Sequence, residues 1–448
     1  MVREKISETP VPDQNGSTTP PVLKVLYLLA VTAGTFVVPV FAATRSVRWF
    51  IIPVLLALQV GILLACRIRI SEIARPVWRL KWFFLFLIGC YVLLPPESPD
   101  AGDLVLHWHL PLLAWQLALN LTGFDRAALM CLQVLTLLLA STAVRATGSG
   151  RDLVAGLQAL RLPELFVHSL DHALELLGGG KKSRQRGRKG ARQDGALATI
   201  KGLLRGDIGG LVQTIRTNIA RAAEYLGHDP ERRLSPRLAH DVGIVTGVAL
   251  CMASIKLLKF LPGLPFAPGH KALLLFPLYV LASRLTYSRW GGTAAGSIMG
   301  VIALLQGDGR FGVLDVLRHV VPGLVIDLAG PLASRLPAWA LGYCFLGLAA
   351  AAGRVTTELV LVLLLGARAE VYLFPVAVLV PNLLAGFLSG FVTIPVLRAL
   401  APLDAKVNYD RDAEIETKPN EAADICSQEM AADPPKQGAS AYSRRHGQ

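Results

Sequence analysis

Charged residues are scarce in this chain, and their scarcity argues against a cytosolic enzyme. Only 17% of the 448 residues are Asp, Glu, Lys or Arg, whereas about a quarter is usual in a soluble domain. Hydrophobic residues make up 53%, and the mean hydropathy is +0.48. A soluble fold of this length would need far more polar surface, so we expect a membrane protein.

Cysteine is also sparse, and its spacing predicts neither a disulfide framework nor a metal site. No two of the six cysteines form a CxxC pair, and none has metal-ligand spacing with a histidine. Most of them stand in apolar runs and are interpreted as small core residues: Cys66, Cys90, Cys131, Cys251, Cys344 and Cys426. We therefore expect no metal and no cofactor bound by this chain.

Long apolar runs are abundant, and a helix needs about 20 such residues to cross a bilayer. The fold class we predict is all-α, a polytopic transmembrane helical protein with about ten spans. Four fall in the first half and six in the second, at 22–44, 48–66, 82–95, 127–144, 241–261, 270–287, 291–306, 314–331, 338–365 and 372–399. The stretch 104–122 contains several polar residues and is predicted to lie at the outer interface or to be re-entrant.

The distribution of positive charge predicts the orientation. The net charge is +13, and Lys and Arg collect in cytoplasmic loops. The basic segments 67–81 and 145–240 should therefore be cytoplasmic, and so should both termini. Residues 1–20 and 400–448 are polar and are predicted to be disordered, and no cleavable signal peptide is expected. Nucleic acid is not expected as a partner, whereas membrane lipid is.

The region after the fourth span carries a family resemblance. Ser141-Thr142 ends that span, an amphipathic stretch runs from Leu153 to Leu160, and Leu162-Pro163 precedes another helix. This order resembles the T component of energy-coupling factor (ECF) importers, over roughly 22–240. The resemblance implies a T component-like module at 21–240, whose coupling helices lie in the cytoplasmic part 145–240, in the plasma (inner) membrane of a prokaryote.

The resemblance also implies partners, because T components grip two ATPase subunits through short arginine motifs. Ser183–Gly187 is similar to the first motif and Ala222–Asp229 to the second, in which Leu226 replaces the arginine. The ATPase-coupling residues it implies are Arg184, Arg186, Gly187, Arg221, Glu224 and Gly227. ATP would be used by the partner subunits, since GGGKKS at 178–183 departs from the Walker pattern at Glu175 and Lys182.

The second half resembles an S component, the subunit that binds the solute, and we assign it to 241–399. Two pairs of small residues, Gly243 with Gly247 and Ala249 with Ala253, are predicted to pack between the modules. Ionisable groups inside spans indicate function. The substrate-binding residues we predict, near the outer mouth, are Gln306, Asp308, Arg310, Asp315, Arg318, His319, Arg354, Glu358 and Asn382. Arg354 and Glu358 have the i,i+4 spacing of a self-contained pair, and Asp327 is expected to be structural.

Three functions remain open on the sequence. The first is an integral membrane subunit of an ECF-type importer that couples an ATPase pair to uptake of a vitamin-like or other small micronutrient. The second is a membrane enzyme acting on a lipid or prenyl substrate, although the carboxylate cluster that a metal-bound diphosphate needs is missing from the sequence. The third is a membrane scaffold without transport activity, a reading favoured by Leu226.

Overall fold

The computed structural model describes most of the chain up to Leu400. The described residues are 20–41, 45–68, 70–93, 105–110, 115–147, 150–184, 209–227, 234–257, 272–306, 311–333, 339–364 and 379–400. All of them belong to one compact unit that ends at Leu400. The segments predicted to be disordered were 1–20 and 400–448, and all of their residues except Pro20 and Leu400 lie outside the described residues.

Four helices stand at the four spans predicted in the first half: α1 (Pro21–Phe41), α2 (Arg45–Ala65), α4 (Lys81–Leu93) and α5 (Leu121–Thr147). A fifth, α3 (Ile70–Arg79), is a short amphipathic helix in the basic loop between α2 and α4. Lys24, near the start of α1, donates to the carbonyl of Thr147 and pairs with Asp152 at 2.7 Å. The first residues of α1 and the last of α5 are therefore at the same end of the unit.

The segment 104–122 contains two short strands, while the other elements of the described residues are helical, so the helical fold class stands. β1 (Val105–Leu110) and β2 (Trp115–Asn120) pair there in antiparallel register, and the position of the segment at the outer interface or as a re-entrant segment stays a prediction. Asn120 then accepts a hydrogen bond from the backbone N–H of Gly123 at 2.8 Å. This bond satisfies one of the free donors at the start of α5, so the helix begins earlier than the polar residues suggested.

Three helices follow α5, and their sequences are more polar. They are α6 (Gly150–Ala159), α7 (Glu164–Arg184) and α8 (Gly209–Gly227). Apolar residues of α8 recur every three or four positions, so one face of the helix can be buried. Ile215 and Ala222 are fully buried on that face, and Ala222 packs with Leu176 of α7 and Leu250 of the following helix.

Helices also stand at all six spans predicted in the second half. They are α9 (Pro236–Leu257), α10 (Ala272–Leu285), α11 (Gly291–Leu305), a 3₁₀ turn (Gly312–Val316) leading into α12 (Leu317–Ala333), α13 (Trp339–Leu364) and α14 (Val380–Ala399). Within the described residues, five helices are long and apolar enough to cross a membrane: α2, α5, α9, α13 and α14. The structure is therefore compatible with a helical membrane protein, while the ten-span count stays a prediction.

Small residues bring α11 and α12 into close contact. Gly292, Gly296 and Gly300 lie on one face of α11, where a side chain at Gly296 would meet the carbonyl of His319. The N-terminus of α11 is satisfied from the same neighbour, since Asp327 accepts from the backbone N–H groups of Gly292 and Thr293 at 3.0 and 2.7 Å. Asp327 therefore caps the N-terminus of α11, although it belongs to the neighbouring helix α12.

The two predicted modules are in contact along several helices. The predicted boundary at 240/241 falls inside α9, which packs on α7 and α8 on one side and on α10 and α11 on the other. The 3₁₀ turn also contacts α1 and α5. The division into T and S modules stays a prediction.

Candidate functional site

A cluster of charged side chains joins α12 to α13. The Arg318 guanidinium lies 3.1 Å from a carboxylate oxygen of Asp315 and 3.1 Å from one of Glu358. The second Asp315 oxygen accepts from the backbone N–H of Phe311 at 2.7 Å. About a fifth of the Arg318 and Glu358 side chains is exposed (21% and 22%). One arginine thus links two carboxylates on different elements.

The pairing of Glu358 differs from the one its spacing suggested. Arg354 stands one turn before Glu358 on α13, yet Glu358 contacts Arg318 of the neighbouring helix instead. Arg354 makes no hydrogen bond or ion pair with the described residues, although it lies within electrostatic reach of Arg318, Glu358 and Tyr279. The i,i+4 spacing did not decide the partner, because Arg318 approaches from a helix that packs against α13.

An aromatic hydroxyl was missed by the sequence analysis. The Tyr279 hydroxyl lies 3.2 Å from Nδ1 of His319, and both residues are buried. Tyr279 is a central residue of the apolar α10, where an aromatic side chain is ordinarily interpreted as core. The only available signal was that a buried tyrosine usually needs a hydrogen-bond partner. Tyr279 and His319 extend the cluster into the bundle.

The remaining predicted substrate-binding residues fall into three groups. Asn382 is buried in α14. Ala351 of α13 faces Gly386 of α14, and Asn382 stands one turn before Gly386. Asn382 is therefore level with the residues one turn after Ala351, next to Arg354. Gln306 is exposed at the end of α11. Asp308 and Arg310 lie outside the described residues. Their role in solute binding stays a prediction.

Contacts between the cluster and α5 show which part of that helix it adjoins. Phe311 packs in one apolar core with Leu137, and a side chain at Gly312 would lie 3.0 Å from the Leu137 carbonyl. Leu137 is only a little past the midpoint of the 27-residue α5. Phe311, whose backbone N–H donates to Asp315, is therefore beside the middle of α5, whereas Arg318 is in the first turn of α12. The location of the cluster at an outer mouth stays a prediction.

The second candidate site is the exposed face of α8. Arg221 and Glu224 are exposed there, opposite the buried Ile219 and Ala222. Gly227 ends the helix. Arg184 is the last residue of α7, and its side chain, like all of Arg186 and Gly187, lies outside the described residues. Of the ATPase-coupling residues that the resemblance implied, Arg221 and Glu224 are thus the two whose side chains can be assigned to a surface.

Two neighbours of Arg221 have other roles. Arg216, one helical turn and a half earlier, donates to the carbonyl of Ala399 at the end of α14. Leu226 lies near Gly243 of α9, 3.7 Å from the position that a Gly243 side chain would take. Arg216 is therefore engaged at another helix end, and Leu226 faces the protein. On α8, Arg221 is the arginine that can reach a partner.

Small residues of α9 let α8 pack closely against that helix. A side chain at Gly247 would lie 2.7 Å from Cα of Ile219, whereas one at Gly243 would be no closer than 3.7 Å to any neighbour. Ala249 and Ala253 are also buried. Helix α8 thus lies along the middle of α9, which is itself a candidate span.

Comparisons with known proteins and a search for metal ligands add no assignment. No family model, curated protein or solved structure matches the chain. In the part of the chain that the structure describes, no group of three or more His, Cys, Asp or Glu residues could hold a metal ion. The candidate sites are thus the charged cluster and the α8 face.

Proposed function

We propose that the chain is a membrane subunit of an ECF-type importer. In this proposal, the exposed face of α8 binds an ATPase subunit, and the charged cluster around Arg318 belongs to the solute-binding region. ATP is hydrolysed by the partner subunits, and this chain makes and breaks no covalent bond. The chain would reside in a prokaryotic plasma membrane with both termini in the cytoplasm, as the charge distribution and the resemblance imply.

The observation that carries the proposal is the polarity of α8 beside an apolar helix. Helix α9 is a candidate span, while the neighbouring α8 exposes Arg221 and Glu224. A charged side chain facing lipid costs several kcal/mol, on the order of 3 at the bilayer centre. The exposed face of α8 must therefore meet water or a polar protein surface, so in this proposal the part of α9 beside α8 lies outside the hydrocarbon core. A guanidinium there suits a carboxylate or carbonyl acceptor on a partner.

The charged cluster supports transport as the activity. Ionisable groups within membrane bundles are costly and usually mark paths of solutes or ions. Transporter sites are commonly near the middle of the spans rather than at their ends. The cluster that includes Asp315 and Arg318 is beside the middle of α5, which fits that pattern.

Charge reversal on α8 tests the proposal. Tagged full-length protein purified from its native membranes should retain a nucleotide-binding subunit, and Arg221→Glu should reduce that recovery at least about tenfold, because a carboxylate would face the acceptor that the guanidinium bound. The readout is the ratio of ATP-binding subunit to chain, measured by mass spectrometry.

Gln213→Glu is the matched control, since Gln213 is exposed on the same helix two turns earlier. It adds negative charge to α8 without removing the guanidinium, so recovery of the ATPase should stay near the wild-type value. If Arg221→Glu retains the ATPase as well as Gln213→Glu does, α8 is not the coupling surface.

A membrane scaffold without transport activity is the second candidate. Leu226, which occupies the arginine position of the second motif, is partly buried and lies near Gly243 of α9. In a scaffold, the α8 face would still bind a protein, but the protein captured would lack a nucleotide-binding domain. The same purification therefore separates the two candidates.

A further inference from the structure

The chain turns sharply between α2 and the amphipathic helix α3. The backbone N–H of Ile68 donates to the carbonyl of Leu63 at 3.1 Å, and Arg67 stands at the turn with φ 53°. A helix end of this kind usually has glycine at that position, because a side chain is strained in the left-handed region. Arg67 is exposed, so an arginine is held at the surface in a conformation that glycine would adopt more easily.

The ammonium of Lys81 stands beside two tryptophans where α3 meets α4. Its Nζ lies 4.2 Å from the centroid of the Trp78 ring and 5.5 Å from that of Trp82. All three side chains are exposed. The faces of the rings attract and orient the cation, and tryptophan is enriched at the depth of lipid headgroups. The junction of α3 and α4 therefore has the composition of a membrane–water interface.

Positive charge is in surplus along this segment. Residues 67–81 contain four arginines and one lysine against a single acid, Glu72, so four cations remain in surplus whatever Glu72 pairs with. Ile73 of α3 packs against the cluster that includes Ala143, four residues before the end of the candidate span α5. The basic segment is therefore beside the end of a candidate span, where headgroups would lie.

Helix α4 continues this surface as an apolar stripe. Trp82, Leu85 and Phe86 are spaced by three and four residues and so share one face, and each is more than half exposed. Leu87 and Tyr91 are buried on the opposite face. The exposed surface thus changes along α4 from cationic to aromatic to aliphatic. This is the order of the phosphate, the glycerol and the acyl chains in a phospholipid, whereas a soluble anion would need only the cationic part.

We propose that α3 binds the headgroups of anionic phospholipids, with Arg67 at one end and Lys81 at the other. Phosphate oxygens accept charge-assisted hydrogen bonds from both cations, and the acyl chains lie along the stripe of α4. The same basic segment is predicted to be cytoplasmic, and anionic lipids give that leaflet its negative surface potential. The inference needs only that α2 and α5 cross a membrane, so it is independent of the proposed importer.

Lipid titration tests the inference. Full-length protein in detergent is titrated with phosphatidylglycerol and with phosphatidylcholine of the same acyl chains, and bound lipid is measured by native mass spectrometry. Phosphatidylglycerol should bind at least about fivefold more tightly, and Lys81→Gln should weaken it by about fivefold, the effect of one cation near an anionic surface. Arg67→Gly should weaken it similarly without lowering the thermal unfolding temperature, because glycine relieves the strain at that turn.

Arg126→Gln is the matched control, since Arg126 is exposed in the first turns of α5, at the other end of that helix from Ala143. It should bind phosphatidylglycerol as the wild type does, and free glycerol phosphate should not displace the lipid at about 10 mM. The inference is overturned if the two lipids bind equally, if Lys81→Gln or Arg67→Gly binds as the wild type does, if Arg126→Gln is weakened as much, or if glycerol phosphate displaces the lipid.

Discussion

Gly247→Ala is expected to destabilise the protein and release α8, while Gly243→Ala is expected to leave it intact. The new Cβ at position 247 would lie 2.7 Å from Cα and 2.9 Å from the backbone nitrogen of Ile219. Backbone atoms cannot rotate away, so α8 must move. Such overpacking costs about 1–3 kcal/mol, partly offset by the roughly 1 kcal/mol that alanine gains over glycine in a helix.

Gly243→Ala carries the same gain in helix propensity without the clash. Its Cβ would find its nearest neighbours at 3.7 and 3.8 Å, which is ordinary van der Waals contact, so stability should be unchanged or slightly raised. Hydrogen exchange of the α8 amides in purified protein is the measurement. Faster exchange over 209–227 in Gly247→Ala alone supports the packing, whereas equal exchange in both variants would contradict it.

Arg318→Gln is expected to lower the free energy of unfolding more than Glu358→Gln does. Removing the Arg318 guanidinium takes away the ion-pair partner of both Asp315 and Glu358, whereas Glu358→Gln leaves Arg318 paired with Asp315. Breaking a buried pair from one side costs about 3–5 kcal/mol. Because about a fifth of the Arg318 side chain is exposed (21%), we expect a loss of about 3 kcal/mol in the free energy of unfolding, near the lower limit of that range.

A double-mutant cycle distinguishes the observed pairing from the one that the spacing suggested. Thermal unfolding of the Arg318→Gln and Glu358→Gln variants, single and combined, should give a coupling free energy above about 1 kcal/mol. The cycle of Arg354→Gln with Glu358→Gln serves as the comparison and should give a smaller coupling. Stronger coupling in the Arg354 cycle would mean that Glu358 pairs within α13 after all.

The helical elements could be predicted well because apolar length is a local signal. Helices stand at every predicted span, and their bounds differ from the predictions by a few residues at most ends. The strands were not predicted. Residues 105–110 pair with residues 115–120, and an apolar run of that length with a proline in it does not distinguish a strand pair from a helix by periodicity.

The residues of the charged cluster could be predicted, but their partners could not. Ionisable side chains in apolar runs identified Asp315, Arg318 and Glu358 from sequence alone. The choice of Arg318 rather than Arg354 as the partner of Glu358 depends on how α12 packs against α13, and spacing along one helix contains no information about that. Tyr279 was missed for the same reason, since its contact with His319 joins two helices.

The contact between the cluster and α5 was also beyond the sequence. Loop order suggested the outer ends of the spans for Asp315 and its neighbours. The contact of Phe311 and Gly312 with Leu137 depends on how far the second half is displaced along α5, and no local pattern fixes that displacement. The small residues that allow close approach could be identified, but the helix that each pair contacts could not.

Photo-crosslinking from Arg221 tests the central claim most directly. A benzophenone amino acid replaces Arg221 in the full-length chain, and native membranes are irradiated; the same residue at Phe391, which is 53% exposed on the apolar α14, is the control. We predict a crosslink from position 221 to a nucleotide-binding subunit and none to that subunit from position 391. Crosslinks from position 221 to lipid alone, or to a protein without a nucleotide-binding domain, would contradict the assignment of α8 as the face that binds the ATPase.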